Sequence, residues 1–337
     1  MNILLTGAPF LASVLLAAVM GFAIQRGATC MVAAVDEVVA RRRFARLAAM
    51  LAASLWVLAG LLVAQSAHWL PRAPAGYEVS GWTIAGGALL GLGAFVGRAC
   101  VFGAIARFGN GEWSYLMVPV GFYAGCASVA PLFMPMMPTK LARSSTAFDN
   151  PGVAAALIAL VVAMAFVRAR RTARERAAAS SYAPAPLHRV FAARAWSPAV
   201  ATAMIGITFF LMMLLVGPWA YTEALADIAR GMSHDLPARA LLMIALFAGA
   251  FTGGLTAHRF GSTPATLPRL LRCFASGALM GWGSLLIPGG NDGLILVGMP
   301  LLYPYAWLAM ISMALTIGVA MIATRTAASA RPIAPAS

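Results

Sequence analysis

The chain has 337 residues, of which 61% are hydrophobic and 10% charged, with a mean hydropathy of +0.84. That balance excludes a soluble globular domain and describes a membrane protein whose first partner is the lipid bilayer. The 24 Lys and Arg outnumber the 10 Asp and Glu for a net charge of +14, but they cluster between apolar runs (Arg41 to Arg46, Arg168 to Arg176, Arg269 and Arg272), the pattern of loops facing anionic lipid, so no nucleic-acid partner is expected.

The opening "MNILLTGAPFLASVLLAAVM" lacks a basic leading region and runs on as a full span, so it reads as a first helix and not as a cleaved signal. A hydrocarbon core about 30 Å thick takes about 20 apolar residues per helix. Apolar runs between turn signals place spans at about 3–24, 47–66, 81–97, 114–134, 152–167, 197–217, 240–257, 273–288 and 303–323. The expected fold is therefore an all-α polytopic membrane protein of about nine transmembrane helices. Segments 25–46, 168–196, 258–272 and 325–337 carry an Arg excess and share one face in this scheme, whereas 67–80, 135–151 and 218–239 carry fewer basic residues and most of the loop prolines. The positive-inside rule then puts the N-terminus outside and the C-terminus in the cytoplasm, in the inner membrane.

Three stretches interrupt the apolar pattern. The first, "GFAIQRGATC" (Gly21 to Cys30), offers Gln25 and Arg26 as donors and Cys30 as a thiol. Arg26 reads either as a substrate group or as a span-end arginine snorkelling to phosphate, and the same two readings apply to Arg98 and Arg107. Asp36 and Glu37 precede the Arg41 cluster at helical spacing and read as a surface ion pair. The second break, "GRACVFGAIARFGNGEW" (Gly97 to Trp113), carries Gly97, Arg98 and Cys100. The third, "IPGGNDG", carries Gly289, Gly290, Asn291 and Asp292. An acid at membrane depth is costly and by default functional, although Asn291 or Asp292 could equally cap the following half-helix.

The longest polar stretch, Arg168 to Trp196, reads as a basic cytoplasmic linker between two halves at 1–167 and 197–324, with a cytoplasmic tail at 325–337. The halves share a motif: "GALLGLGAFVGRACVFG" (Gly87 to Gly103) aligns without gaps on "GALMGWGSLLIPGGNDG" (Gly277 to Gly293), each residue 190 positions from its match. Paired halves, each with a Gly-interrupted segment at the same place, point to a substrate site near the bilayer midplane, and helix N-termini there suit an anion.

Of the four cysteines, Cys126 and Cys273 lie in ordinary packed helix, whereas Cys30 and Cys100 sit in Gly- and Arg-rich breaks. There is no CxxC pair and no nearby histidine in metal spacing, so no metal site and no cofactor is expected. His68, His188, His234 and His258 fall near loops and are assigned no chemistry.

The two Gly-framed cysteine motifs and the second GALxGxG copy together resemble the YeeE/YedE family of sulfur-compound transporters, including its thiosulfate uptake members, over essentially the whole chain. The resemblance implies two pseudo-symmetric halves with short re-entrant helices meeting at a central constriction, where cysteines pass the anion by S–H hydrogen bonds. Cys30 and Cys100 match two family cysteines. The third falls at Gly290, and the arginine usual after the second-half GxG is Leu285. The expected function is import of a small sulfur-containing anion, thiosulfate or a related compound, along a path of Gln25, Arg26, Cys30, Gly97, Arg98, Cys100, Gly289, Gly290, Asn291 and Asp292. A neutral thiol is a weak donor that holds a soft anion loosely enough to release it. A cytoplasmic sulfur-carrier protein is a candidate partner of the basic face. The alternative is a membrane sensor or partner subunit that binds a sulfur species without net transport. A thiol enzyme is disfavoured by the missing CxxC pair and activating histidine.

Overall fold

The computed structural model describes residues 7–70, 74–133, 138–141, 193–231 and 235–329, with isolated positions between 150 and 170. The expected linker at 168–196 lies outside the described residues except at Arg170 and its final four positions, as do the 330–337 end of the tail, His188 and His234; the positions described in the 152–167 run are helical. The architecture is helical, and the described residues contain isolated bridges but no named strand.

Twelve helices serve the description. The first six are α1 (Ala8–Gly27), α2 (Met31–Arg41), α3 (Ala45–Ser66), α4 (Gly81–Gly97), α5 (Val101–Gly109) and α6 (Met117–Phe133). The second six are α7 (Pro198–Val216), α8 (Tyr221–Ala229), α9 (Leu236–Thr256), α10 (Leu267–Leu286), α11 (Asn291–Gly298) and α12 (Pro304–Ser329). Four times a long helix stops at a short break, a short helix follows, and a long helix returns. The short helices α2, α5 and α8 hold 11, 9 and 9 residues, and at about 1.5 Å per residue none covers much more than half of the hydrocarbon core. The end of α11 widens into a π-turn, with Met299 N–H donating to Leu294 O at 2.8 Å.

Six described segments are long and apolar enough to cross a membrane: Ala8–Arg41, Ala45–Ser66, Gly81–Gly109, Pro198–Val216, Leu236–Thr256 and Pro304–Ser329. A seventh is made if Leu267–Leu286 and Asn291–Gly298, bent by 55°, count as one. The protein is thus a multi-pass membrane protein with six or seven such segments among its described residues, against the nine expected. The 17-residue α6 is shorter than these. Two stretches expected as connections, 25–46 and 218–239, instead carry α2 and α8, whose Met31, Val32, Val35, Tyr221 and Leu225 are buried in the core.

Element bounds repeat at the spacing of the sequence motif: α7 begins 190 residues after α1, and α8 190 after α2. The packing repeats as well. Helix α1 lies on α9 as α7 lies on α3, α6 on α10 as α12 on α4, α5 on α9 as α11 on α3, and α8 on α6 as α2 on α12. The pairs α1 with α7 and α4 with α10 join the two sets.

The shared GALxGxG glycines explain the motif. A β-carbon at Gly277 would come within 2.1 Å of Val118 O, and one at Gly281 within 2.4 Å of Phe122 O, so α10 and α6 touch backbone to backbone. Gly87 and Gly91 make the same approach to Ala309 O and Met313 O, at 2.5 and 2.6 Å, where α4 meets α12. Small residues four apart let helices approach closely where lipid offers no hydrophobic drive for association. Asp36 pairs with Arg325 on α12 at 2.6 Å, and Glu37 accepts from the Arg46 backbone N–H at 3.0 Å. The acids before the Arg41 cluster thus bind the last helix and the start of α3, and do not form the local pair the spacing suggested.

Gly277→Ala is expected to lower stability by about 1–3 kcal/mol by forcing α10 off α6, whereas Gly81→Ala, at a position with open space around it, leaves it unchanged. Thermal unfolding in detergent checks both.

Candidate constriction at the short-helix starts

Three of the short helices begin at an extended residue that halts the preceding break: Cys30 before α2, Cys100 before α5 and Ala220 before α8. Gly290 holds the same position before α11. In each pair 190 residues apart, a cysteine in the first set faces a residue without a polar side chain in the second: Cys30 against Ala220, Cys100 against Gly290.

These starts meet. The Met31 N–H at the start of α2, next in the chain to Cys30, donates to Cys100 Sγ at 3.3 Å, which brings the two cysteines side by side. Cys100 is fully buried; Cys30 is half-buried and opens on a shallow hollow lined by Thr29, Arg46 and Thr202. Gly103, one turn into α5, makes room for the first thiol, since a β-carbon there would lie 2.5 Å from Cys30 Sγ. From the other set, Tyr221 Oη at the start of α8 donates to Val101 O at 3.5 Å. The neighbouring Thr222 donates to Asp292 from both its hydroxyl and its backbone N–H, the latter at 3.4 Å. The first N–H groups of each helix have no partner within it, so their convergence gives a small region of donors, dipole-positive and suited to an anion.

The register expected for a third thiol is filled. A β-carbon at Gly290 would lie 2.4 Å from Thr222 Oγ1 and 2.9 Å from Asp292 Oδ1, so a hydroxyl and a carboxyl occupy the space a cysteine side chain would need. Beside it Asn291 is fully buried, and neither its Nδ2 nor its Oδ1 has a hydrogen-bond partner. Orphaned buried amides are costly and mark places where a ligand could complete the bonding. Gly289, with φ +131°, turns the chain into this region. Leu285 and Gly289 line a cavity of about 220 Å³ that also takes in Tyr77, Glu223 and Tyr305.

The other candidate residues stand around this centre. Arg26 is 3% exposed and donates to Ala193 O at 2.6 Å and Thr256 Oγ1 at 2.8 Å, with its guanidinium 4.8 Å from the Phe22 ring. Its carbonyl accepts from Trp196 N–H at 3.0 Å. It is therefore no snorkelling arginine; it fastens the approach to α7 onto the first break. Gln25 donates to Asn110 Oδ1 at 2.8 Å, holding the far end of α5. Gly97 packs on Ser276 and accepts from Tyr115 Oη at 2.9 Å. Arg98 is exposed, in a left-handed turn with φ 56°. Arg107 pairs with Glu112 at 3.2 Å. Cys126 and Cys273 are buried in helix packing, Cys126 donating to Gly281 O at 3.4 Å.

Sequence reasoning passed over Tyr221, Thr222 and Glu223. Carrying the 190-residue spacing from Cys30 to Ala220 would have found them, with Gly27 and Gly217 as the shared residue.

A family model described as "Sulphur transport" matches residues 26–320. No curated protein matches the chain.

Gly290→Cys is expected to lower the unfolding temperature because the new side chain meets Thr222, and Thr222→Gly in the same chain to recover part of the loss. Paired thermal unfolding curves in detergent check this.

Proposed function

The chain belongs to the sulphur-transport family, and from that premise we propose that it imports a small sulfur-containing anion, thiosulfate or a close relative, through the constriction where the short helices meet. The observation that carries the reading is the meeting of two cysteines at the short-helix starts: Cys100 is buried, Cys30 is half-buried, and Cys100 Sγ accepts from the Met31 N–H next to Cys30 at 3.3 Å. Thiols at this point offer soft, weak S–H donors. Backbone N–H groups of α2 and α5 supply the dipole-positive field that draws an anion in. Binding that is adequate but not tight is what conduction requires.

In this reading the first half, 1–167, carries the thiol stations, and the second, 197–324, carries Thr222, Asn291 and Asp292 at the third. The 168–196 linker and the 325–337 tail are cytoplasmic and the N-terminus is outside, in the inner membrane, as the distribution of arginine supports. The basic face is open to a sulfur-carrier protein. Gln25, Arg26 and Gly97 act by holding the breaks in place, while Arg98 is free to meet the anion at its exposed turn. A second reading, a sensor that binds without flux, is favoured by the filled third station.

Proteoliposomes holding the purified chain are expected to take up sulfur-35 thiosulfate, with Cys100→Ala and Cys30→Ala each lowering the rate at least about tenfold, the loss of one well-placed hydrogen bond being worth about 1.4 kcal/mol. Cys273→Ala keeps the rate. Uptake indifferent to Cys100→Ala would overturn the relay, and binding without uptake would select the sensor.

A further inference from the structure

We propose that Glu223 is a proton-carrying site on the wall of the 220 Å³ cavity, and that each sulfur anion passing the second-half break moves together with a proton. The choice of cargo rests on the transport reading above; the proton site does not.

Glu223 is the third residue of α8, and its carboxyl reaches across to the break before α11. A β-carbon at Gly293 would lie 2.5 Å from Glu223 Oε1, and one at Gly289 3.4 Å from it. The carboxyl thus fills space that two glycines leave open. Among the described residues it makes no hydrogen bond and no ion pair, while the two arginines nearby are both engaged by Asp227, Arg230 at 2.6 Å and Arg239 at 2.7 Å. The two arginines carry one charge more than Asp227 returns, but neither makes an ion pair with Glu223.

Behind it stands a second acid. Asp292 is 2% exposed and held by the Thr222 hydroxyl and N–H, and Thr222 is the residue next to Glu223. Two ionised carboxylates at neighbouring half-helix starts, with no cation of their own, are expensive at membrane depth, and a proton on one of them removes most of that cost. The other groups facing Glu223 are Asp227 on α8, Arg230 directly after it, Arg239 on α9, Tyr77 on the segment before α4, Tyr305 on α12 and Ser284 on α10 beside Cys126 of α6. Of these, only the carboxyl of Glu223 is an acid that both lines the cavity and lacks a partner.

The consequence is chemical. Ionised, Glu223 repels an anion in the cavity at Gly289; protonated, it donates an O–H to the same anion. The anion leaves with that proton and the carboxylate takes another from the aqueous side of the cavity, so one proton moves per anion and nothing is oxidised or reduced.

The test uses proteoliposomes of the full chain with sulfur-35 thiosulfate as the probe and an internal pH dye. Wild type is expected to show uptake that falls about tenfold per pH unit on the alkaline side of the transition, with acidification of the lumen. Glu223→Gln lowers uptake and makes what remains independent of pH and silent to the dye, while Glu223→Asp keeps both signals. A profile and a dye signal in Glu223→Gln identical to wild type overturn the proposal. Infrared spectroscopy of the same samples separates it from the transport reading. A protonated-carboxyl band that titrates in wild type and is missing from Glu223→Gln supports the site even where thiosulfate does not move; the same band in both chains overturns it.

Discussion

Unpaired backbone groups cannot be left in hydrocarbon, where each costs several kcal/mol, and this membrane protein four times stops a long helix and starts a short one. The structure meets that constraint by bringing the four stops together. The N–H at the start of α2 finds the Cys100 sulfur, the α8 tyrosine finds the Val101 carbonyl at the start of α5, and the α8 N–H finds Asp292. The free N–H groups of two breaks, those before α2 and α8, are satisfied by another break. The constriction and the solution to the backbone problem are one arrangement, and the long helices, closed on each other through glycine, hold it in place.

Much of this was legible in the residues. Three apolar runs gave their helices nearly to the ends: 81–97 is α4 to the residue, and 47–66 and 197–217 differ from α3 and α7 by two residues or fewer at each end, whereas 3–24, 273–288 and 303–323 miss an end of α1, α10 and α12 by five or six. The Gly-framed cysteines marked the breaks because few other sequences put glycine, arginine and a thiol inside an apolar run. What hid was α8. "VGPWAYTEALADIA" reads as a turn followed by a polar connection, since Glu223 and Asp227 lower its hydropathy, and only tertiary packing makes it a buried half-helix. Arg26 was misleading for the opposite reason: a charge at a span end usually goes to lipid phosphate, and nothing local announces that Ala193 and Thr256 will be waiting for it.

The two sets of six helices share a scaffold and differ in chemistry. At matched positions the first places thiols, Cys30 and Cys100, where the second has Ala220 and Gly290 and brings up a hydroxyl, an amide and two carboxyls instead. The two chemistries are joined where Tyr221 at the start of α8 donates to Val101 at the start of α5.

The helix-packing glycines have a further bearing on how such a protein can change over time. Gly87, Gly91, Gly277 and Gly281 are fixed by backbone contact, and they lie at least two helical turns from the half-helix starts. The frame and the half-helix starts are therefore written in separate letters. The residues at 30 and 100 are thiols where those at 220 and 290 are not, on the same glycine frame, so the chemistry at those starts can change over time without redrawing the architecture around it.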